Sequence, residues 1–431
     1  MERLRFHIIN RKDHIIPYDV ENMELYLGDN VSEKELRVLE KQKTDSLPPA
    51  NDSNATKENR KERPIMHRIT LCVSNDCNLR CRYCYADGGN YGRKRHLMDK
   101  NTADKFVDFC VRNFSRVDTL LFFGGEPLLN YPIIEYICEL FKRQSANGTF
   151  PLPSFSIITN GTLWNERISR LIRDYISCMT ISIDGEKTVN DKNRVYKNGD
   201  GSYDKVEQFI LSCKEIPSLK LQFEATYTNE HVKLGISRFD VSNFLKTRFG
   251  IDCIVANEES LDKKIIYEDL CRVTKDDLLK TDFECLPDDF WQVVYNITKK
   301  APHTFCGIFH DKITITTDGD IVGCQMMIGS DKSVIGHIDD TNALEKIKHQ
   351  AVTFKHNPAC KKCWCYALCG GCVVQKFYSR PKGCLQFLPN HDTCIWTRLY
   401  IEEILYLFFN IRKDETVWYS FVNKARTKYN S

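Results

Sequence analysis

A chain of 431 residues, 42% hydrophobic and 28% charged, has room for one large domain and one or two smaller ones. Its net charge of +3, with no basic stripe interleaved with aromatics, argues against a nucleic-acid partner. No apolar run reaches the length needed to span a bilayer, and the N-terminus lacks a signal-like apolar region, so a cytoplasmic location with no membrane partner is expected.

In chain order, residues 1–45 read as short strands at Arg5–Ile9, Ile15–Val20 and Met23–Leu27, then a helix from Ser32 to Gln42. The stretch from Lys43 to Arg63 has almost no apolar residues, and residues 46–65 are expected to be a flexible linker. Residues 66–270 alternate between the two patterns. Strand-like runs occur at Arg68–Val73, Thr119–Phe123, Phe155–Thr159, Met179–Ile183, Leu219–Thr226 and Asp252–Val255. Helical segments between them include Asp104–Phe114, Ile133–Arg143, Glu166–Tyr175, Tyr203–Cys213 and Val241–Arg248. Such pairs imply an α/β fold of parallel strands with crossover helices, as an open sheet or a partial (β/α)6 barrel. In both, ligands collect at the carboxyl ends of the strands. Residues 271–305 read as a bridging segment and residues 306–431 as a cysteine-rich domain.

Twenty cysteines in a chain of this kind point to metal rather than disulfides, because reducing compartments keep thiols free. Cys110, Cys138, Cys178, Cys213 and Cys253 lie among apolar residues and are expected to be buried as small hydrophobes. The loop after the first core strand reads Cys77-Asn-Leu-Arg-Cys81-Arg-Tyr-Cys84. Three thiolates on a short loop can ligate three irons of a cubane and leave the fourth open to a chelating molecule. The competing reading is a structural zinc loop, but zinc sites close with four ligands and no fourth follows nearby.

This spacing, with Tyr83 before the last cysteine, resembles the radical S-adenosylmethionine (SAM) superfamily over residues 66–256. Gly124-Gly125-Glu126-Pro127 looks like that family's motif for hydrogen bonding the SAM amino group. Thr159-Asn160-Gly161 closes the third strand, and Ser182-Ile183-Asp184-Gly185 closes the fourth, where the family places ribose and carboxylate contacts. Arg194 matches an arginine that pairs with the SAM carboxylate, a task suited to a bidentate guanidinium; the alternative is a solvated loop charge. The resemblance implies that a reduced cluster, fed by a low-potential donor such as a flavodoxin or ferredoxin, passes an electron to SAM. Methionine and a 5′-deoxyadenosyl radical result, and the radical removes hydrogen from an unactivated carbon.

Further on, Cys306 precedes Gly319 and Cys324, followed by Cys360-x2-Cys363-x5-Cys369-x2-Cys372 and Cys394. This resembles the SPASM domain, a C-terminal extension of peptide-modifying radical SAM enzymes that binds two auxiliary [4Fe-4S] clusters, making three in all. A zinc ribbon on Cys360, Cys363, Cys369 and Cys372 is the competing reading. The resemblance assigns Cys306, Cys324 and Cys372 to auxiliary cluster I, and Cys360, Cys363, Cys369 and Cys394 to auxiliary cluster II. Two departures stand out: Cys369 and Cys372 are separated by two residues where the pattern has three, and no cysteine lies just upstream of Cys306. Cys384 or Cys365 could complete cluster I, or an iron could stay open for a substrate thiolate.

Relatives of this architecture divide mainly into sulfatase-maturating enzymes and maturases of ribosomally made peptides. The sulfatase group has an Asp just after the second cysteine of cluster I; this chain has Gln325, which cannot accept a proton. Residues 1–45 resemble a shortened element that grips a leader peptide by adding it as a strand, or else form a hairpin that only packs on the barrel. Glu224-Ala-Thr-Tyr-Thr228 with His231 is similar to thioether-forming maturases. The expectation is a thioether-forming maturase of a Cys-containing precursor peptide. The alternatives are a sulfatase-type maturase and a non-catalytic iron–sulfur or zinc scaffold.

Overall fold

The computed structural model describes residues 3–11, 14–26, 33–44, 63–258, 260–302, 306–355, 357–370, 372–379, 381–386 and 388–430. At the N-terminus β1 (Arg3–Leu4) pairs antiparallel with β5 (Lys43–Thr44), around β2 (Phe6–Arg11), β3 (His14–Asp19), β4 (Glu24–Leu25) and α1 (Glu33–Leu39). The three strands β2, β3 and β4 form their own antiparallel sheet. Of the expected linker, residues 45–62 lie outside the described residues.

The core then runs β6 (Ile65–Ser74), α2 (Lys100–Asn113), β7 (Arg116–Gly124), α3 (Tyr131–Ala146), β8 (Ser154–Thr159), α4 (Glu166–Tyr175) and β9 (Ile176–Ser182). It continues through α5 (Lys187–Asn193), α6 (Tyr203–Lys214), β10 (Lys220–Tyr227), α7 (Asn229–Lys233), α8 (Arg238–Phe249) and β11 (Cys253–Asn257). All six expected strands are present and pair in parallel in sequence order. Four of the helices between them, α2, α4, α7 and α8, start where side chains satisfy free amides. Asp99 accepts from Thr102 N ahead of α2, and Asn165 from Ile168 N ahead of α4. Gly250, at φ 71°, ends α8. The short helices α5 and α7 have no counterpart in the sequence reading, because neither is long enough to show a helical period.

Strands β8, β9 and β10 alternate. Phe155, Ile157, Met179, Ile181, Phe223 and Ala225 are buried in the main hydrophobic core, alongside Phe106, Phe141, Leu171, Phe209 and Leu245 of the helices. Their neighbours Ile158, Thr180, Ser182, Gln222, Glu224 and Thr226 are only half-buried. A parallel sheet enclosed on both faces reads as continuous apolar runs. Here the second face is polar and partly open, and that face is available to a ligand.

After β11 come α9 (Lys263–Cys271), α10 (Lys275–Lys280) and α11 (Asp288–Lys299), then β12 (Lys312–Ile315), β13 (Asp320–Val322) and β14 (Gly336–His337). These last strands join the main sheet: β12 lies parallel to β6, β13 and β14 follow antiparallel, and the sheet reaches nine strands. The remainder comprises α12 (Ala343–Lys355), α13 (Pro358–Lys361), α14 (Val373–Phe377), the pair β15 (Tyr378–Ser379) and β16 (Cys384–Leu385), α15 (His391–Lys413) and α16 (Glu415–Asn430). Among the described residues no helix is long and apolar enough to cross a membrane.

The N-terminal sheet packs on the C-terminal helices. Ile9, Ile16, Tyr18 and Leu25 share a core with Phe290, Leu405, Phe408 and Phe421. His7 stacks on Trp364 at 3.7 Å, and Arg11 bonds Glu402 at 2.8 Å and Glu403 at 2.9 Å. The expectation of a hairpin packed on the barrel is therefore corrected in its location: the apolar face of this sheet is met by α11, α15 and α16.

Candidate functional site

The Cys77–Cys84 loop leaves the carboxyl end of β6, and neighbouring strand ends hold it. Glu126, fully buried, accepts from Leu128 N (2.9 Å), Thr159 Oγ1 (2.8 Å) and Asn160 N (2.7 Å). Asn160 Nδ2 in turn donates to Asn78 Oδ1 at 2.9 Å and to Cys77 Sγ at 3.6 Å. The expected SAM-amino motif thus ties the ends of β7 and β8 to the cysteine loop, and three of the carboxylate's roughly four acceptor sites are filled. Burial holds Glu126 up at about 6. Gly125 is required sterically, since a Cβ there would lie 2.3 Å from Asp76 O. Tyr91 donates to Gly124 O at 3.3 Å, from a loop whose Tyr91 and Ala86 pack on Val322 of β13.

A second set of contacts crosses the same loop. Tyr83 donates to Asp184, 2.8 Å from Oδ2, and Thr226 N donates to Asp184 Oδ1 at 3.0 Å. Arg194 Nη1 donates to Tyr83 Oη at 2.5 Å and stands 3.6 Å from Asp184 Oδ1. Arg194 is only 7% exposed and Asp184 is fully buried, so the solvated-charge alternative for Arg194 does not hold. Arg194 is nevertheless incompletely paired: its Nε is buried without a partner. Burial alone would lower the guanidinium, but its contacts with Tyr83, Cys81 and Asp184 carry it well above its ordinary value. His231 is structural: Thr228 N donates to its Nδ1 at 3.0 Å, which leaves Nε2 to donate to Asp184 O at 2.8 Å. Ser182 and Glu224 stand opposite each other in the register of β9 and β10, both half-buried on the open face. Burial raises Glu224, against the pull of Arg194.

The donor set on this loop fits an iron–sulfur cluster. Cys77, Cys81 and Cys84 are half-buried, and burial pushes Cys77 up to about 12 and Cys81 to about 11. Such thiols release their protons when a metal takes up the charge, and soft sulfur suits iron. Among the described residues no three His, Cys, Asp or Glu side chains converge on one ion position. A cubane does not need that, because each thiolate binds its own iron.

The C-terminal cysteines separate into two groups. Cys324 is pushed up to about 12, first by burial and then by the nearby Cys372 and Cys306. Cys324 and Cys372 pack beside Val373 and Phe377, and Cys306 is exposed. The second group lines a cavity of about 170 Å³: Cys360, Cys363, Cys369 and Cys394, with Cys365, Lys376 and Arg398. Cys365 is buried 3.5 Å from Cys363 Sγ. Its hydrogen bonds draw Cys363 and Cys369 down while its own thiol is raised well above the ordinary value. Cys365, one of the alternatives for completing the first group, thus lies among the cysteines of the second. Cys384 lies on β16, where its Sγ accepts from Gln386 Nε2 at 3.2 Å. Lys376 and Arg398 were missed in the sequence, where a lone cation near a cysteine carries no pattern; the polar row at Thr180, Ser182, Gln222, Glu224 and Thr226 was not read either, although its period-two alternation could have marked it.

A parallel sheet with crossover helices, a three-cysteine loop over its strand ends and a polar inner face describes an iron–sulfur enzyme of the SAM-cleaving class. The chain belongs to the radical SAM superfamily, whose domain matches residues 71–219. It is 30% identical over 287 residues to the uncharacterized protein MJ0907 of Methanocaldococcus jannaschii, covering 65% of this chain and 91% of that one. It is 26% identical over 342 residues to a cysteine-type anaerobic sulfatase-maturating enzyme of Clostridium novyi, covering 72% and 88%. The fold is shared with native anSMEcpe with bound AdoMet and Cp18Cys peptide, at a TM-score of 0.61 and 19% identity over 80% of this chain and 99% of that one.

Proposed function

We propose that the protein is a radical SAM peptide maturase that forms a sulfur-to-carbon thioether crosslink in a Cys-containing precursor peptide carrying a leader. The observation that carries this reading is Gln325, whose Oε1 lies 3.4 Å from Cys324 Sγ. The position that holds an acid in the sulfatase pattern here holds a group unable to take a proton. A peptide substrate is supported by the peptide bound to the structural relative anSMEcpe.

In this reading Cys77, Cys81 and Cys84 hold the cluster that binds SAM. Cys306, Cys324 and Cys372 hold auxiliary cluster I, whose fourth iron is left either to Cys384 or to a substrate thiolate. Cys360, Cys363, Cys369 and Cys394 hold auxiliary cluster II. When bound, SAM and its cluster supply a radical that removes hydrogen from an unactivated carbon. The chain's own residues orient the partners. Glu126 fixes the cysteine loop to β8, while Asp184 and Tyr83 hold Arg194 with one donor still available for a SAM carboxylate. Ser182 and Glu224 face the same space. A substrate thiolate on an open iron would wait beside the reacting carbon, as proximity catalysis requires.

Mass spectrometry of the treated peptide should show a loss of two hydrogens per crosslink, with the affected cysteine no longer alkylated by iodoacetamide. A product lighter by two hydrogens whose thiol still alkylates would rule the thioether out. A second reading, a sulfatase-type maturase, rests on the similarity to the Clostridium novyi enzyme. It predicts oxidation of a Cys or Ser side chain with no crosslink.

A further inference from the structure

The cavity that gathers Cys360, Cys363, Cys369 and Cys394 is also where cations enter the protein interior. Lys376, on α14, is 6% exposed, and its Nζ lies 2.5 Å from Cys369 Sγ and 3.3 Å from Cys369 O. Arg398 follows Cys394 by one turn of α15 and lines the same cavity as Cys363. Cys365 adds a further buried sulfur, 3.5 Å from Cys363. One of the four sulfurs therefore receives a charged hydrogen bond, and a second cation lines the same cavity. The other C-terminal group differs: Cys372 Sγ accepts from Gln375 N at 3.5 Å, and Cys324 neighbours the neutral Gln325 amide.

Hydrogen bonds to cluster sulfurs and net local charge set the reduction potential of an iron–sulfur centre. Charged hydrogen bonds are about twice as strong as neutral ones, and reduction adds a negative charge that they favour. We propose that Lys376 and Arg398 are potential-setting residues that hold the centre on Cys360, Cys363, Cys369 and Cys394 at a raised reduction potential. They act through the cluster sulfurs and need touch neither SAM nor peptide. This inference rests on the cluster assignment given above.

The test uses the full chain, reconstituted anaerobically with iron and sulfide, and needs no peptide. Iron and labile sulfide are counted, and an electron paramagnetic resonance titration follows the signal that disappears in the Cys360→Ala/Cys363→Ala protein. In Lys376→Met the one-electron equilibrium of that signal should move about tenfold toward the oxidised form, a fall of 59 mV. Arg398→Met should move it the same way, and Lys376→Arg should return it close to the unaltered protein. Full iron with an unmoved midpoint in both Met variants overturns the role given to these cations. Loss of the iron from Lys376→Met that Lys376→Arg does not restore overturns it too, since a packing role would then suffice. Unaltered protein with no signal sensitive to Cys360 and Cys363 overturns instead the cluster assignment beneath it.

Discussion

The two cysteine regions are built on different principles. Cys77, Cys81 and Cys84 sit on one loop, anchored by the carboxyl ends of β6, β7 and β8, strands of six to ten residues. The C-terminal cysteines are scattered between residues 306 and 394: Cys394 sits near the start of the long α15, but Cys360 lies on the four-residue α13, Cys372 caps the five-residue α14 and Cys384 lies on the two-residue β16. Elements that short bury too little apolar surface to persist alone. In the first region the fold positions the sulfurs; in the second, under the cluster assignment proposed above, ligation would help to hold the fold, so that binding energy becomes folding energy.

The largest expected effect separates the regions by activity. Replacing Cys77, Cys81 and Cys84 with Ala should abolish SAM cleavage and remove about four of about twelve irons. Replacing Cys360 and Cys363 should also cost about four irons, yet leave SAM cleavage to 5′-deoxyadenosine in place. Equal loss of cleavage in both would show that the two regions do not act separately. Next in size is the response to metal removal. After chelation, limited proteolysis should cut first within residues 357–390, while residues 65–257 persist as a fragment identified by mass spectrometry. Cleavage spread evenly over both regions would break the comparison.

A smaller effect sharpens it within the first region. Arg194→Met leaves Asp184 as an uncompensated buried charge, which costs about 3–5 kcal/mol when one partner of such a pair is removed. Denaturant unfolding should register that loss, together with weakened SAM binding. Ser182→Ala, on the half-buried face, should spare stability and cost SAM affinity about tenfold, as for one lost hydrogen bond. Equal destabilisation by the two substitutions would mean that Ser182 is structural as well.

What the sequence determined by itself was local and periodic. The six core strands, five of the crossover helices and the cysteine loop were all legible, because each shows its pattern within about a dozen residues. Tertiary structure decided everything that depends on distant residues meeting. It buried Arg194 against Asp184 and Tyr83, committed the Glu126 carboxylate to Thr159 and Asn160, and carried β12 of the C-terminal region alongside β6. It also placed the N-terminal sheet on α15 rather than on the core, and set Cys365 beside Cys363. Spacing cannot reveal such partners, because a buried charge or thiol is defined by what the fold brings against it, and that is set by packing across hundreds of residues.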